Sequence, residues 1–241
     1  MKATQGGKVQ LLVLPGLDGT GDLLLEFTDL LRETFAVRTI SYPSDRHFSY
    51  PDLAESIAAQ WDADGRVVLI AESFAGPLAT MLAVRYPGRV AGIVYVASFV
   101  SNPRPCLGLL TALAKRASFK TLIRLPGAML PLFGAWGSRA SRVKLSAVIA
   151  RNAKGVLGAR LGAVLQSDYR REFGELNIPL MYLQPTSDRL VPKSVAREMA
   201  RANTRLSITQ IDGPHFVLQT HARPAADCLG PFLRQFAADS H

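Results

Sequence analysis

The chain has 241 residues, 48% of them hydrophobic, and a formal net charge of +9, which suits one domain with a full hydrophobic core. Its two cysteines, Cys106 and Cys228, are too few for a disulfide scaffold and lack the spacing of a metal site. No apolar run is long enough to cross a bilayer and no secretory signal is visible, so we expect a cytoplasmic protein.

Apolar runs alternate with helical stretches along most of the sequence. The predicted strands cover residues 8–14, 36–41, 66–71, 90–97, 179–184 and 205–211. The predicted helices cover residues 22–34, 51–61, 74–87, 193–202 and 220–237. This alternation predicts an α/β protein with a mostly parallel sheet of about six strands and helices on both faces.

The first predicted strand runs into a glycine-rich loop, residues 14–21, which reads Leu-Pro-Gly-Leu-Asp-Gly-Thr-Gly. Glycines let the backbone of such a loop approach a bound molecule closely. A phosphate cradle is the alternative interpretation. It is disfavoured because the loop has neither a G-x-G-x-x-G pattern nor a Gly-Lys-Ser/Thr ending.

The third predicted strand is followed by residues 71–76, which read Ala-Glu-Ser-Phe-Ala-Gly, and then by a predicted helix. A buried strand, a turn of small residues around one serine and a helix are the context of a nucleophile elbow. The turn would lift the Ser73 hydroxyl out of the sheet and aim the first N–H groups of the helix at the group under attack. Both glycines of the usual G-x-S-x-G pattern are alanine here, Ala71 and Ala75. The short motif alone would also fit an ordinary strand-to-helix turn.

Two polar loops after later strands complete the pattern. Asp188 follows the strand predicted over residues 179–184, and His215 follows the strand over 205–211. A serine nucleophile needs an imidazole to take its proton and a carboxylate to orient that imidazole. Asp212 is a second candidate for the carboxylate, but Asp188 is preferred because it stands on a loop of its own.

Three further side chains near these loops receive simpler interpretations. His47 lies in a loop after the second predicted strand and is expected at the surface. His221 is expected to be a surface residue or to lie in the first turn of the last helix. Glu72, beside the serine, is expected to make a supporting hydrogen bond.

With Ser73, Asp188 and His215 in this order on loops after strands, the chain resembles the α/β-hydrolase superfamily, in particular its compact bacterial esterases and lipases. The resemblance covers residues 8–98 and 174–237. Members of this superfamily bind the reaction's oxyanion with two backbone N–H groups.

The resemblance assigns that oxyanion hole to the backbone N–H groups of Leu17 and Phe74. Family members often carry His-Gly before the first of these two residues, whereas this chain has Pro15 and Gly16. The backbone donor is retained, but a side chain that often supports the loop is absent.

Residues 99–171 separate the two parts of the predicted core, residues 1–98 and 172–241, and form a predicted helical cap over the site. We refer to residues 99–171 as the cap segment. Its single acid is Asp168, and it holds thirteen basic residues: Arg104, Lys115, Arg116, Lys120, Arg124, Arg139, Arg142, Lys144, Arg151, Lys154, Arg160, Arg170 and Arg171. Pro126, Pro131, Gly134 and Gly137 are expected to break it into several helices.

The charge of the cap segment has two interpretations. Its cations either form solvated helix faces or attract an anionic partner, such as an acyl carrier protein, a coenzyme A thioester, a carboxylate-bearing ester or an anionic membrane surface. No nucleic-acid recognition module accompanies the charge, so nucleic acid is not an expected partner.

These observations predict a serine hydrolase that cleaves a carboxylic ester of an acyl substrate through an acyl-enzyme, with no metal and no cofactor. Substrate-binding residues are expected in the cap segment. An acyl-thioesterase, an acyltransferase or a lyase remains an alternative, as does a non-catalytic binding protein that retains the fold.

Overall fold

Six parallel strands form the sheet at the centre of the part of the chain that the structure describes. The structure is a computed structural model and describes residues 9–61, 65–105, 127 and 129–237. The strands are β1 (Gln10–Leu14), β2 (Val37–Thr39), β3 (Val67–Glu72), β4 (Val90–Val96), β5 (Leu180–Pro185) and β6 (Leu206–Ile211). They are ordered β2-β1-β3-β4-β5-β6, and each neighbouring pair is parallel. The predicted α/β sheet is confirmed, and each strand lies within two residues of its predicted bounds.

Ten α-helices accompany the sheet in the described ranges. They are α1 (Leu25–Arg32), α2 (Tyr50–Ala58), α3 (Gly76–Arg85), α4 (Leu130–Phe133), α5 (Arg139–Arg151), α6 (Val156–Gln166), α7 (Arg170–Gly174), α8 (Lys193–Ala202), α9 (Val217–Thr220) and α10 (Ala222–Ala237). The helix predicted over residues 220–237 is α10, which begins two residues later than predicted, and the short α9 precedes it. The backbone of His221 leaves the helical region at φ −134° and ψ 48° and so separates them.

Every residue of β3 and β4 is buried, because helices cover both faces of the sheet. One hydrophobic layer packs α2, α3 and α8 against one face, through residues such as Leu53, Leu78 and Met199. The second layer packs α1 and α10 against the other face, through residues such as Phe27 and Leu229. The central strands are therefore long apolar runs rather than alternating ones.

The described part of the cap segment adds α4, α5, α6 and the first two residues of α7. The predicted breaks at Gly134 and Gly137 lie between α4 and α5, whereas Pro131, also predicted to break a helix, is the second residue of α4, where proline is tolerated. A third hydrophobic cluster joins these helices to the core through contacts of Phe133, Val148 and neighbouring residues with Leu23. Residues 106–126 and 128, with Cys106 and the predicted break at Pro126, lie outside the described residues. No helix among the described residues has the length and apolar character that a bilayer span requires.

The first turn of α3 lies against the chain that leaves β4. A Cβ atom added to Gly76 would stand 2.1 Å from the Phe99 carbonyl oxygen and 2.4 Å from Ser98 Oγ. Ala71 and Ala75, the small residues on either side of the serine turn, are completely buried. The turn between β3 and α3 therefore has no room for larger side chains.

We expect Gly76→Ala to destabilise the fold by about 1–3 kcal/mol or more, because the added methyl group would overlap the Phe99 backbone. The free energy of unfolding in urea measures this loss. Gly65→Ala is the matched control, since a Cβ at Gly65 meets nothing within 4 Å. Its stability should stay within about 0.5 kcal/mol of the wild type. Equal stability of the two variants would contradict the packing described for α3.

Candidate active site

Ser73 occupies a strained turn at the end of β3. Its backbone φ is 47°, in the left-handed region that residues with a side chain rarely adopt. The neighbouring carbonyl groups are held from outside the turn. Ser98 Oγ donates to the Ser73 carbonyl at 2.6 Å, and Tyr50 Oη donates to the Phe74 carbonyl at 2.9 Å. These bonds fix the direction in which the turn presents its serine.

The structure brings Ser73, His215 and Asp188 together in one chain of hydrogen bonds. His215 Nε2 lies 2.9 Å from Ser73 Oγ, and His215 Nδ1 lies 2.8 Å from Asp188 Oδ2. The side chains of His215 and Asp188 are each only 3% exposed. A carboxylate only accepts hydrogen bonds, so Nδ1 donates to Asp188 and Nε2 is left to accept from the serine hydroxyl.

The backbone of its own loop holds Asp188 in place. Its second oxygen, Oδ1, accepts hydrogen bonds from the N–H groups of Leu190 at 2.8 Å and Val191 at 2.9 Å. Asp212, the second candidate, is exposed and accepts instead from Thr186 Oγ1 at 2.8 Å. The geometry therefore joins Asp188, and not Asp212, to the imidazole.

The remaining histidines of the described chain do not join this group. His47 is exposed, as expected for a surface residue. His221 is half-buried between α9 and α10, where its Nδ1 lies 2.9 Å from Thr220 Oγ1 and its ring packs edge-on against Trp136. Within the described ranges, no group of three or more His, Cys, Asp or Glu residues could hold a metal ion.

Leu17 and Phe74, the two residues assigned to an oxyanion hole, both line the cavity in front of Ser73. Phe74 is the second residue of the 3₁₀ turn Ser73–Ala75, so its N–H has no partner within that turn. The glycine-rich loop reaches the serine turn closely, because a Cβ on Gly16 would stand 3.8 Å from the Ser73 Cβ.

Arg160 differs from the expectation for the cap segment. It is 3% exposed, and its guanidinium donates to the carbonyls of Leu17 and Asp18 at 2.9 Å each. It also donates to the Pro43 carbonyl at 2.9 Å and to Asn152 Oδ1 at 3.3 Å. Arg160 therefore fastens α6 to the glycine-rich loop and offers no surface charge to a partner. This burial was not predicted from the sequence; the signal for it is the context of Arg160, a single arginine among apolar and small residues in Val156–Gln166.

Four more cations of the cap segment also have hydrogen-bond or ion-pair partners within the protein. Arg104 donates to the carbonyls of Arg189 and Leu190, beside Asp188. The other three form ion pairs: Arg151 with Asp22, Arg170 with Asp168 and Arg171 with Glu175. The charge counted from the sequence therefore overstates what the described surface presents to a partner.

Glu72 lies beside the serine and is 3% exposed. Its Oε2 accepts from the Gly16 N–H at 3.1 Å, and its Oε1 accepts from Gln219 Nε2 at 2.6 Å. Burial raises the pKa of this carboxyl to about 7, and the nearby Asp18 also raises it, while these hydrogen bonds and His215 oppose the rise. The expected supporting bond is thus a pair of bonds, one to the glycine-rich loop and one to α9.

A cavity of about 390 Å³ opens in front of Ser73 and His215. Its wall is almost entirely apolar and comes from both the core and the cap segment, with Phe99, Leu132, Leu145, Ile149, Leu157 and Phe216 among its residues. Two charged residues also line it, but Arg104 bonds backbone carbonyls and the Asp18 carboxylate bonds Thr20. The cavity is therefore suited to an uncharged group.

The sequence profile of the alpha/beta hydrolase family matches residues 11–227, so the chain belongs to this family. This match confirms the resemblance seen in the sequence. The chain is accordingly a hydrolase-family protein with the fold of that family. No curated protein sequence matches it.

Solved structures of the same fold are similar to the chain over nearly its whole length. A hydrolase from Oleispira antarctica has a TM-score of 0.78 at 18% identity, with 98% of this chain and 93% of that chain covered. The enol-lactonase from Burkholderia xenovorans LB400 has a TM-score of 0.78 at 18% identity, covering 96% of this chain and 93% of its own. A thermophilic esterase from Thermogutta terrifontis has a TM-score of 0.80 at 17% identity, with coverage of 97% and 92%.

We expect Asp188→Asn to lower ester turnover by roughly 10⁴-fold, because an amide cannot hold His215 in the tautomer that accepts the serine proton. The matched control is Asp212→Asn, which changes an exposed carboxylate on the same polar edge of the sheet. It should keep turnover within a few-fold of the wild type, as measured by kcat on a p-nitrophenyl ester. The reverse ranking of the two variants would transfer the carboxylate role to Asp212.

Proposed function

We propose that the protein is a serine hydrolase that cleaves a carboxylic ester with an uncharged, apolar acyl group. The observation that carries the proposal is the continuous hydrogen-bonded chain from Ser73 through His215 to the buried Asp188. Serine, base and carboxylate in this geometry are the arrangement that activates a hydroxyl as a nucleophile. Membership of the hydrolase family supports the same conclusion.

In the proposed reaction, Ser73 Oγ attacks the ester carbonyl while His215 Nε2 takes its proton. The N–H groups of Leu17 and Phe74 stabilise the negative charge that develops on the carbonyl oxygen. His215 then protonates the departing alcohol, and the acyl group stays on Ser73. A water molecule, deprotonated by His215, hydrolyses this acyl-enzyme and restores the free serine. Asp188 keeps the imidazole oriented in both halves of the cycle.

The cavity supports the choice of acyl group. Its volume is within the range of small-molecule sites. Because its wall is apolar, binding is most favourable in free energy for a hydrocarbon group. Its two charged residues already bond protein groups, so a charged acyl group would be buried there without a partner, at a considerable cost in free energy.

The basic surface of the cap segment supports an alternative substrate, an acyl thioester whose anionic carrier stays outside the apolar cavity. Among the described residues, four exposed cations of the cap segment form no ion pair: Arg139, Arg142, Lys144 and Lys154. Three of them lie on α5, whose Leu145 and Ile149 line the cavity. An acyl-coenzyme A thioester could therefore place its hydrocarbon inside and its phosphates near α5, where cations raise the encounter rate.

We expect Ser73→Ala to lower kcat/KM by about 10⁴–10⁶-fold on p-nitrophenyl esters of graded acyl length and on matched acyl thioesters. A fluorophosphonate probe should label the wild type at Ser73 and leave Ser73→Ala unlabelled. Ser207→Ala, on β6 and away from the cavity, is the control and should keep full activity. Wild-type turnover by Ser73→Ala would contradict the proposed nucleophile. A wild type that neither turns over nor labels would favour the non-catalytic binding protein.

We expect kcat/KM for an acyl-coenzyme A thioester to fall between 0.01 and 0.1 M salt, because the Debye length shrinks from about 30 Å to about 10 Å. A neutral p-nitrophenyl ester should show almost no change. The triple variant Arg139→Gln, Arg142→Gln, Lys144→Gln should remove this difference in salt dependence between the two substrates. The control triple variant Arg197→Gln, Arg201→Gln, Arg205→Gln changes exposed cations outside the cap segment and should keep the difference. Equal salt dependence of both substrates would make the cap charge a solvated surface only.

A further inference from the structure

The buried carboxylate of Glu72 has no part in the proton transfers proposed above, yet Glu72 connects three of the segments that form the site. It is the last residue of β3 and directly precedes Ser73. Its Oε2 accepts from Gly16 in the glycine-rich loop, and its Oε1 accepts from Gln219 on α9, which begins two residues after His215. One side chain thus connects the serine turn, the loop of Leu17 and the segment of the histidine.

The glycine-rich loop is fastened on nearly every side, and Glu72 supplies the bond nearest the serine. Its carbonyls are held by three donors: Tyr42 Oη to Pro15 at 2.9 Å, the Gly19 N–H to Gly16 at 3.1 Å and Arg160 to Leu17 at 2.9 Å. The Gly16 N–H is held by Glu72. The peptide that carries the Leu17 N–H is therefore bracketed by fixed neighbours. Its direction depends on those neighbours staying in place.

The distance between loop and serine turn makes this bond sensitive. A Cβ on Gly16 would stand 3.2 Å from Glu72 Oε2 and 3.8 Å from the Ser73 Cβ. The backbone at Gly16 therefore lies directly against the side chains of Glu72 and Ser73. A small shift of the loop would change the distance from the Leu17 N–H to an oxygen on the carbon that Ser73 attacks, and stabilisation of that oxygen is steeply dependent on geometry.

We propose that Glu72, as a carboxylate anion, is a positioning residue that holds the Leu17 N–H in place for the oxyanion. The inference rests on the proposed function. Glu72 does not touch the substrate. It acts through Gly16, and its second oxygen ties the same loop to the helix that follows His215.

The charge state of Glu72 decides whether both bonds can form. The anion has only acceptors, and both of its oxygens face N–H donors. A protonated carboxyl would bring an O–H against one of these donors and weaken that bond. Its charged neighbours are Asp18, which favours protonation, and His215, which opposes it, while burial raises the pKa to about 7. Glu72 is therefore mostly ionised above this pH, and the hydrogen bond to Gly16 weakens as the pH falls below it.

The test is the pH dependence of kcat and KM on a neutral p-nitrophenyl ester, for the wild type and Glu72→Gln. In the wild type, turnover requires deprotonated His215, and protonation of Glu72 lowers it further, so log(kcat/KM) should fall with a slope steeper than 1 as the pH drops through about 7. Glu72→Gln leaves one titrating group, so its slope should be 1. At pH 8 its kcat should be about 10–100-fold lower with KM within about threefold, since an oxyanion contact stabilises only the transition state.

Two further variants separate positioning from general destabilisation. Asn203→Ala removes another buried polar side chain, one that bonds the carbonyls of Phe173 and Leu176 away from the cavity. It should lower stability but keep the wild-type acid limb, steeper than a slope of 1, and the wild-type kcat. Gln219→Met removes a bond that lowers the Glu72 pKa. Its acid limb should therefore move to higher pH, and this readout remains even if Glu72→Gln fails to fold.

The outcomes distinguish this inference from the proposed function. Ser73-dependent turnover in the wild type, with an unchanged slope and kcat in Glu72→Gln, overturns the role of Glu72 alone. An unmoved acid limb in Gln219→Met overturns it likewise. A wild type without Ser73-dependent turnover overturns the proposed function and the role of Glu72 together.

Discussion

The close packing at the start of α3 is the constraint on which the site depends. The turn at Ser73 is tight because α3 begins directly against the chain after β4, with no space for a Cβ at Gly76. In this turn the serine has a positive φ of 47°, a conformation that costs free energy and persists only where its surroundings hold it. The Ser98 and Tyr50 hydroxyls that bond the turn's carbonyls supply that support. The serine hydroxyl is thus presented by packed backbone and not by a mobile loop.

The parallel sheet explains how residues far apart in sequence reach this serine. Parallel strands all end at the same edge, so the loops after β1, β3, β5 and β6 open onto one region of the surface. Each of these loops contributes one part: Leu17, Ser73, Asp188 and His215. A sequence pattern of strand followed by polar loop is local, and for this reason these residues could be predicted without knowledge of tertiary contacts. The strand positions could be predicted for the same reason, since buried parallel strands are uninterrupted apolar runs.

The sequence did not indicate the contacts between residues that are far apart along the chain. Arg160 was counted with the exposed cations, because a charged residue in a helix is usually solvated. Its burial depends on the glycine-rich loop, about 140 residues earlier, whose carbonyls replace water around the guanidinium. Arg104 likewise bonds carbonyls of the loop that carries Asp188. Their partners are backbone atoms, which carry no sequence signature, so composition alone could not separate these cations from the exposed ones on α5.

Two buried charged groups, Arg160 and Glu72, bond the short glycine-rich loop. The physical reason is that their hydrogen bonds fix the orientation of the loop backbone. Apolar packing brings segments together but constrains orientation weakly, whereas a hydrogen bond weakens steeply when its angle changes. A buried charge left without partners is very unfavourable, so Arg160 and Glu72 are tolerated only while the loop stays where its carbonyls and N–H groups meet them. Any displacement of the loop breaks these bonds inside a low-dielectric interior. The free-energy cost of burying the charges thus becomes a restoring force on the backbone that carries the Leu17 N–H.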